Sequence, residues 1–377
     1  MLHEVEEIDP KNRRVLVKCL QSKRGWWEPY DRLLIATGAL PFCPRAPGYE
    51  ARGIFGLHSL QSGITVRNAV DAEQPKTAVV IGGGYIGLEM AEALVMRGLD
   101  VSLVDRGVQV MNTLDPDMGS LVSDALVEAG INLYREEALE AFEVADGRVR
   151  AVVTDKRTLP ADIVILGLGV RPNTELADKA GIPLGVRNAI RVNDRMRTAI
   201  DGIWAAGDCV ESFHLVSRRP VNIALGTIAN KQGRVAGINL GGGYATFPGV
   251  VGTAASKICK WEVARTGLQE HEIKAIGLEH VAAKIESTTR ASYYPHAGPI
   301  TVKALAEKGS GRLLGAQIVG IEGAAKRIDI FATALHAGMS VQEMINLDLS
   351  YAPPYSNAWD PVLIAVRQAD KAVKQAS

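Results

Sequence analysis

The chain lacks an excess of charge of one sign and any long apolar run. Its 42 Lys and Arg residues balance its 42 Asp and Glu residues, so no net field favours nucleic acid or an anionic membrane. No apolar stretch is long enough to span a bilayer, and the acidic residues 1–7 do not form a signal peptide. The sequence therefore predicts no nucleic-acid partner and no membrane insertion.

Cysteine usage is sparse, and glycine is missing from the start of the chain. Cys19, Cys43, Cys209 and Cys259 show neither a pairing pattern nor metal-ligand spacing. This usage predicts a protein of the reducing cytoplasm without a metal site. The chain has 38 glycines, but residues 1–24 contain none, which excludes a glycine-rich phosphate-binding turn from that stretch.

The sequence does contain a strand-to-helix dinucleotide fingerprint. An apolar strand signal at residues 77–81 runs into Gly82, Gly84 and Gly87, which have the G-x-G-x-x-G spacing. In such a turn the first glycine allows the tight bend, the second lets a pyrophosphate touch backbone, and the third lets the helix pack closely. Helical spacing over residues 87–97 completes the pattern. We therefore predict a dinucleotide-binding βαβ unit, with a purely structural glycine turn as the alternative.

An acidic residue, Asp105, ends the next predicted strand at residues 101–105. A carboxylate in this position binds the ribose hydroxyls of a dinucleotide, which favours NADH over NADPH. Arg106 could instead meet a 2′-phosphate, and Asp105 could be a solvated loop acid. Gly169 follows an apolar strand signal at residues 163–167 and belongs either to the ligand crevice or to a plain turn.

The rest of the chain predicts further helices and a change of architecture. Residues 115–129 form a helix pattern with Asp115 as N-cap, and residues 228–238 form another. Strand-like runs then precede an apolar helix, which is the pattern of an α+β domain. These runs lie at residues 282–285, 300–304 and 313–319, and the helix lies at residues 325–337.

Six short motifs occur in a fixed order along the chain, at residues 33–39, 80–89, 169–173, 205–209, 229–234 and 349–356. In this order they resemble the pyridine nucleotide-disulfide oxidoreductases, and more narrowly the coenzyme A-disulfide reductase and NADH oxidase branch. The resemblance implies an α/β fold with two Rossmann-like dinucleotide-binding domains, for FAD and NAD, and an α+β C-terminal dimerisation domain. The implied bounds are 1–46 with 197–245 for FAD, 47–196 for NAD(P)H and 246–377 for dimerisation.

The resemblance also implies residues that hold FAD. Gly38 would lie beside the adenosine, and Asp208 would bind the ribityl chain, unless Asp208 only caps a helix. Leu225, Gly226 and Thr227 would offer backbone donors to the flavin ring. A reduced flavin carries negative charge that a helix N-terminus stabilises.

Further residues are implied for hydride transfer and for the acceptor. Tyr85 would cover the flavin until nicotinamide displaces it, or be a packed surface aromatic, and Glu89 would lie near the carboxamide. Tyr351, with Tyr293 or Tyr294, would reach the substrate thiol from the partner subunit of a homodimer. A phenol suits this role because it can donate a hydrogen bond to a leaving thiolate. The alternative for these tyrosines is interface packing.

The implied activity is an FAD-dependent NAD(P)H:disulfide oxidoreductase. The acceptor would be a small-molecule coenzyme A disulfide or persulfide, or oxygen or peroxide. The glutathione reductase branch carries a His-Pro pair, and Gly338 and Met339 occupy the matching positions here. This departure argues against glutathione, lipoamide or mercuric substrates.

Two features of the resembled branch have no counterpart in the sequence: a first βαβ unit with its own glycine turn, and a redox-active cysteine, which none of the four cysteines fits. We expect that the sequence is a truncated product or has a misplaced start codon, and that this polypeptide alone binds FAD weakly or not at all. One alternative is a non-enzymatic, dimeric NADH-binding module. Another is a flavin reductase like the ferredoxin reductases, which the ending at residues 351–355 makes less favoured.

Overall fold

A computed structural model describes residues 2–376. The strands within that range, in chain order, are β1 (His3–Asp9), β2 (Arg14–Cys19), β3 (Gly25–Pro29), β4 (Leu33–Ile35), β5 (Ala39–Pro41), β6 (Ile54–Gly56), β7 (Thr77–Ile81), β8 (Asp100–Asp105), β9 (Asn132–Arg135), β10 (Leu139–Ala145), β11 (Arg148–Thr154), β12 (Thr158–Pro160), β13 (Ile163–Leu166), β14 (Val170–Pro172), β15 (Ile203–Ala205), β16 (Ser212–Phe213), β17 (Pro220–Val221), β18 (Ala254–Ile258), β19 (Trp261–Gly267), β20 (His280–Thr288), β21 (Pro299–Glu307) and β22 (Leu313–Gly320).

The α-helices of the same range are α1 (Leu60–Glu73), α2 (Tyr85–Val95), α3 (Pro116–Glu128), α4 (Glu175–Lys179), α5 (Gly226–Leu240), α6 (Glu270–Ala275), α7 (Ile328–Ala337), α8 (Val341–Met344) and α9 (Pro361–Ala376). Short 3-10 turns lie at Val186–Asn188 and Ala325–Arg327. Among residues 2–376, no helix is both long and apolar enough to cross a membrane.

The chain divides into two compact units, and the first comprises residues 1–40 and 170–250. In this unit β1, β2 and β3 form an antiparallel meander, and β4 pairs in parallel with β15. Strands β4 and β15 are short and apolar; β15 is buried along its whole length, whereas only Ile35 of β4 is buried. Their carboxyl ends lead to Gly38 and Asp208, so the fold brings these two positions to the same edge of the sheet.

The second unit comprises residues 41–169 and 251–377. Its first part is a parallel sheet with the order β6-β13-β7-β8-β9. Strand β13 is buried along its whole length, and so are four of the five residues of β7. The succession β7–α2–β8 is the predicted βαβ unit, and Asp105 is the last residue of β8.

The second part of this unit is an antiparallel sheet with the order β18-β19-β22-β21-β20. All eight residues of β22 are buried, since α3 and α7 pack against this strand. Helix α9 packs against β20 and β21. One core cluster combines the parallel sheet with Ile258, Val263 and Val319 of the antiparallel sheet, so the two sheets of this unit share a core.

A buried ion cluster joins α3 to the antiparallel sheet. The ammonium of Lys303 lies 3.1 Å from Asp115, 2.7 Å from Asp117 and 2.6 Å from Glu270. Lys303 is 3% exposed, so its charge needs these partners. The three carboxylates lie within 4.8 Å of one another, and Lys303 contacts all three, while Lys284 and Lys274 also pair with Asp117 and Glu270.

The structure confirms the α/β class with an α+β C-terminal part. The helices predicted at residues 87–97, 115–129 and 228–238 are α2, α3 and α5. Asp115 is the N-cap of α3, as predicted, and Pro116 is its first residue. Helices α1 and α9 are additions that the sequence analysis does not predict.

Candidate active site

The turn after β7 has the geometry of a phosphate-binding loop. Gly82 has a φ of +101°, and a Cβ on Gly87 would lie 1.8 Å from the Gly82 carbonyl oxygen, so only glycine lets α2 pack this closely. A Cβ on Gly84 would meet no atom of residues 2–376 within 4 Å. No side chain of that range caps the start of α2 at Tyr85. The turn thus fits a dinucleotide pyrophosphate.

The carboxylate of Asp105 organises this turn. One oxygen accepts a hydrogen bond from the Gly83 backbone N–H at 2.6 Å, and the other accepts one from Gly107 at 2.6 Å. Hydrogen bonds to a charged acceptor are stronger than neutral ones. Asp105 is buried and Arg106 is exposed. Asp105 therefore fixes the middle of the glycine turn at the strand end where a dinucleotide ribose binds.

The end of β13 meets the glycine turn. A Cβ on Gly82 would lie 2.5 Å from the Gly167 carbonyl oxygen, so these two segments are in contact. Gly169 follows with a φ of +83°, and its carbonyl accepts a hydrogen bond from the Phe42 N–H at 2.9 Å. Gly169 therefore lies at the same edge of the parallel sheet as the phosphate-binding turn.

Tyr85 and Glu89, on the first turns of α2, have partners from distant segments. The Thr113 hydroxyl donates to the Tyr85 hydroxyl at 3.2 Å, and burial raises the pKa of Tyr85, so the phenol is neutral at physiological pH. The Ser256 hydroxyl donates to Glu89 at 3.0 Å. Thr113 and Ser256 carry no signal in the sequence, because no local spacing indicates a partner 28 or 167 residues away.

The residues predicted to hold FAD lie in the first unit. Burial raises the pKa of Asp208, and no charge or hydrogen bond within residues 2–376 offsets this effect. Asn222 donates its side-chain N–H to the Asp208 backbone carbonyl at 3.1 Å. This contact ties Asp208 to the segment that leads into α5.

Helix α5 begins where the sequence predicts backbone donors. Its N-cap is Leu225, its first residues are Gly226 and Thr227, and no side chain of the described range caps it. Gly38 has a φ of +69° and has open space on its side-chain face, with no atom of residues 2–376 within 4 Å. An uncapped helix start and a partly buried acid without a compensating partner fit the flavin and ribityl parts of FAD.

The structure brings together two of the three candidate tyrosines. Tyr293 lies in the loop between β20 and β21, and Tyr351 lies in the loop between α8 and α9. Partial desolvation and the neighbouring Tyr351 hydroxyl raise the pKa of Tyr293. Tyr294, like both of these, is solvent-exposed. Two neighbouring phenols on an exposed surface can present O–H donors to a ligand.

All four cysteines are free thiols, and they differ in exposure. Cys209 is buried and Cys43 is exposed, whereas Cys19 and Cys259 are intermediate. Burial raises the pKa of Cys209 and of Cys259. Hydrogen bonds from Ser22 lower the pKa of Cys19, which lies at the end of β2.

The sequence matches a known family along most of its length. Residues 1–233 match the family described as pyridine nucleotide-disulphide oxidoreductase, and residues 253–362 match the dimerisation domain of the same family. The matched ranges include the phosphate-binding turn, the two candidate FAD segments and the tyrosine loops.

Individual proteins are similar over nearly the whole chain. An NADH oxidase of Methanocaldococcus jannaschii is 38% identical over 369 residues, which cover 97% of this chain and 81% of the relative. A NAD(P)H coenzyme A polysulfide/persulfide reductase of Pyrococcus horikoshii is 36% identical over 97% of this chain and 80% of its own length. The solved structure of a NAD-dependent persulfide reductase from A. fulgidus matches with a TM-score of 0.95 and 40% identity. The match covers 99% of this chain and 69% of the chain of the reductase.

Proposed function

The chain belongs to the pyridine nucleotide-disulphide oxidoreductases, a family of FAD-dependent enzymes, and on that premise we propose that its acceptor is a coenzyme A disulfide or persulfide. In the overall reaction NADH and one proton reduce one disulfide bond to two thiols. When bound, the pyridine nucleotide supplies a hydride and FAD carries its two electrons towards the acceptor. The observation that carries this proposal is that Tyr293 and Tyr351, from two distant loops, are exposed neighbours.

The residues of the chain would each have a defined task. The turn at Gly82–Gly87 would hold the pyrophosphate of NADH, and Asp105 would hold the turn and the adenosine ribose. Asp208 and the start of α5, from Leu225 to Thr227, would hold FAD.

Tyr85 and Glu89 would order the nicotinamide, with Thr113 and Ser256 as their supports. Gly38 and Gly169 would leave room for the two cofactors. Each of these roles agrees with the position of the residue at a sheet edge or at the start of a helix.

The tyrosine pair would protonate the departing thiolate. A phenol whose pKa is raised stays protonated near neutral pH and can give its proton to a thiolate as the S–S bond breaks. Both phenols are exposed, so solvent can restore the proton that is donated. A thiolate is the leaving group of a disulfide or persulfide, so this role fits an acceptor that contains sulfur.

Oxygen is the second candidate acceptor. The name NADH oxidase of the Methanocaldococcus jannaschii relative supports it. Asp105 favours NADH as the donor, whereas the exposed Arg106 leaves a role for NADPH. Flavin reduction of an electron-transfer protein and NADH binding without catalysis are the remaining alternatives.

We further propose that the protein is a cytoplasmic homodimer. Residues 253–362 match a dimerisation domain, and the exposed Tyr351, Tyr355 and Trp359 lie at the end of that range. Four free thiols suit a reducing compartment.

Steady-state NADH oxidation with FAD supplied in excess tests the proposed acceptor. Coenzyme A disulfide is added under anaerobic conditions, and oxygen is added alone in a parallel assay. Coenzyme A release that depends on NADH supports the proposal. Oxygen consumption without coenzyme A release would favour the oxidase, and NADH binding without turnover of either acceptor would favour the non-enzymatic module.

A further inference from the structure

Tyr293 and Tyr351 are neighbours, and Tyr351 influences the titration of Tyr293, although neither side chain is packed in place. Tyr293 is 76% exposed and Tyr351 is 51% exposed, so each buries little apolar surface of its own. The position of each hydroxyl is therefore set by the loop that carries it. These are the 289–298 loop between β20 and β21 and the 345–360 loop between α8 and α9.

A buried guanidinium bridges the two loops. Arg327, which is 8% exposed, donates from Nη2 to the Thr289 carbonyl at 2.7 Å and to the Tyr355 carbonyl at 2.8 Å. Its Nη1 donates to the Gly323 carbonyl. The planar fork of arginine makes these bonds at once, whereas the ammonium of lysine is a point charge without that fixed geometry.

Asp360 completes the arrangement. It accepts a hydrogen bond from Arg327 Nε at 2.9 Å and another from the Ser356 hydroxyl at 2.8 Å. Both members of the ion pair are buried. A buried ion pair adds little net stability over apolar residues of the same volume, but it has strict geometric requirements. The pair therefore suits a role in fixing geometry.

Two weaker links flank this arrangement. The Ala291 N–H donates to the Pro353 carbonyl at 3.2 Å, and the Asn357 side chain donates to the Thr288 carbonyl at 3.3 Å. These links are neutral and longer than the bonds of Arg327. Arg327 is thus the charged link between the loop of Tyr293 and the loop of Tyr351.

We propose that Arg327, held by Asp360, is a positioning residue that holds the loops of Tyr293 and Tyr351 together, so that these phenols can donate a proton to a departing thiolate. The geometric part stands on the contacts of this chain, and the proton-donating part rests on the proposed function. In the step, two electrons, which the pyridine nucleotide supplies in the proposed function, reduce the S–S bond to two thiolates. One thiolate takes a proton from the tyrosine pair and the other takes a proton from solvent, and the pair recovers its own proton from solvent. Arg327 is buried and acts through the loops.

The geometric part is tested by fluorine NMR of the full chain labelled with 3-fluorotyrosine. The nine tyrosine signals are assigned with single Tyr→Phe variants and followed with pH. In the parent chain, Tyr351→Phe is expected to lower the pKa of Tyr293, since the Tyr351 hydroxyl raises it. In an Arg327→Lys background the same substitution is expected to leave the Tyr293 titration unchanged, because the loops are no longer held together.

The matched control is Lys326→Met, since Lys326 is the adjacent residue and its side chain is 87% exposed. In this background Tyr351→Phe is expected to shift Tyr293 as in the parent chain. An equal shift in the Arg327→Lys background would overturn the positioning role. If Arg327→Lys does not fold, Asp360→Asn, which keeps the side-chain volume, takes its place with the same expectation and the same contrary result.

The proton-donating part is tested by kinetics with FAD in excess. Arg327→Lys is expected to lower kcat with coenzyme A disulfide by about tenfold, which is part of the roughly hundredfold or more that a general acid contributes. KM and the rate of flavin reduction by NADH are expected to match the parent, as for Lys326→Met. A changed titration with unchanged kcat would overturn the catalytic role of the tyrosines and leave the geometry standing. Failure of the parent chain to reduce the disulfide would refute the proposed function, and the NMR result would still decide the positioning role.

Discussion

The Asp105 carboxylate accepts a hydrogen bond from the Gly83 backbone N–H at 2.6 Å. This bond joins the end of β8 to the centre of the glycine turn after β7, and a second one, from Gly107, fixes the other carboxylate oxygen. The acid that the sequence predicts for ribose binding therefore also shapes the pyrophosphate site. The two tasks are compatible, because each carboxylate oxygen can accept more than one hydrogen bond.

Asp105→Asn is expected to weaken NADH binding. The asparagine amide has one acceptor oxygen, where the carboxylate has two, and its NH2 group would face a backbone N–H of Gly83 or Gly107. One of the two charge-assisted bonds is therefore lost. Such a bond is worth about 1.5–3 kcal/mol, or roughly tenfold or more in Kd. Titration calorimetry with NADH measures the effect, with Asp100→Asn on the exposed start of β8 as control. Equal NADH affinity in the two variants would contradict the role of Asp105.

Alanine at Gly84 and at Gly87 is expected to separate binding from folding. A Cβ on Gly84 meets no atom of residues 2–376 within 4 Å and the backbone there is extended, so Gly84→Ala keeps its Tm but obstructs the pyrophosphate. A Cβ on Gly87 would lie 1.8 Å from the Gly82 carbonyl oxygen, so Gly87→Ala lowers Tm. Thermal unfolding measures the Tm of each variant, and NADH titration measures its affinity for the nucleotide. A full-affinity Gly84→Ala variant would show that the pyrophosphate binds elsewhere.

Tyr351→Phe is expected to lower kcat with coenzyme A disulfide by about a hundredfold, the scale of general-acid catalysis. The rate of flavin reduction by NADH is expected to stay unchanged, because the phenol acts on the acceptor. Rapid mixing under anaerobic conditions measures the two rates separately. Tyr355→Phe is the control, since this neighbouring tyrosine is 76% exposed. If both variants lose turnover equally, the hydroxyl of Tyr351 has no special role.

Acid is expected to weaken the ion cluster around Lys303. Burial acts to raise the pKa of Glu270, but the hydrogen bond and the charge of Lys303 together have the larger effect. The pKa of Glu270 is therefore lowered below 4.5. The folded-state pKa is thus below the unfolded one, so the contribution of Glu270 is present above pH 4.5 and is lost as pH falls through the lowered pKa. The free energy of unfolding of Glu270→Gln is therefore expected to fall less steeply than that of the parent chain as pH is lowered. Urea titrations at several pH values measure this difference.

The control for this pH dependence is Glu279→Gln. Glu279 is 80% exposed and pairs with Lys308 at the surface, where an ion pair contributes little. This variant is expected to retain the acid dependence of the parent chain. Identical curves for Glu270→Gln and the parent would refute the stabilising role of the cluster.

The sequence predicts elements well where spacing and capping residues agree. Helix α3 combines Asp115 at the N-cap and Pro116 at the first position with a regular apolar face, and all of this is confirmed. Helix α1 buries only Val66 and Val70, so its apolar pattern is too thin to identify. Helix α9 has helical spacing of its buried residues, and only the fold shows that this face covers β20 and β21.

The residues of the candidate site also fall into those that the sequence predicts and those that only the fold reveals. The turn at Gly82–Gly87 and Asp105 are contiguous signals that a single βαβ unit explains. Tyr293 and Tyr351 come from the family resemblance, and their proximity depends on how two distant loops fold. Arg327 and Thr113 carry no motif, since their importance arises from bonds to residues far away in the sequence.

The central claim, that the chain uses NADH to reduce FAD, is tested most directly by anaerobic mixing of the FAD-supplemented protein with NADH. The account predicts that the visible absorbance of the flavin bleaches at a rate that saturates with NADH and is lowered in Gly84→Ala. Free FAD without protein is the control for uncatalysed reduction. Bleaching no faster than that control, with NADH shown to be bound, would contradict the account.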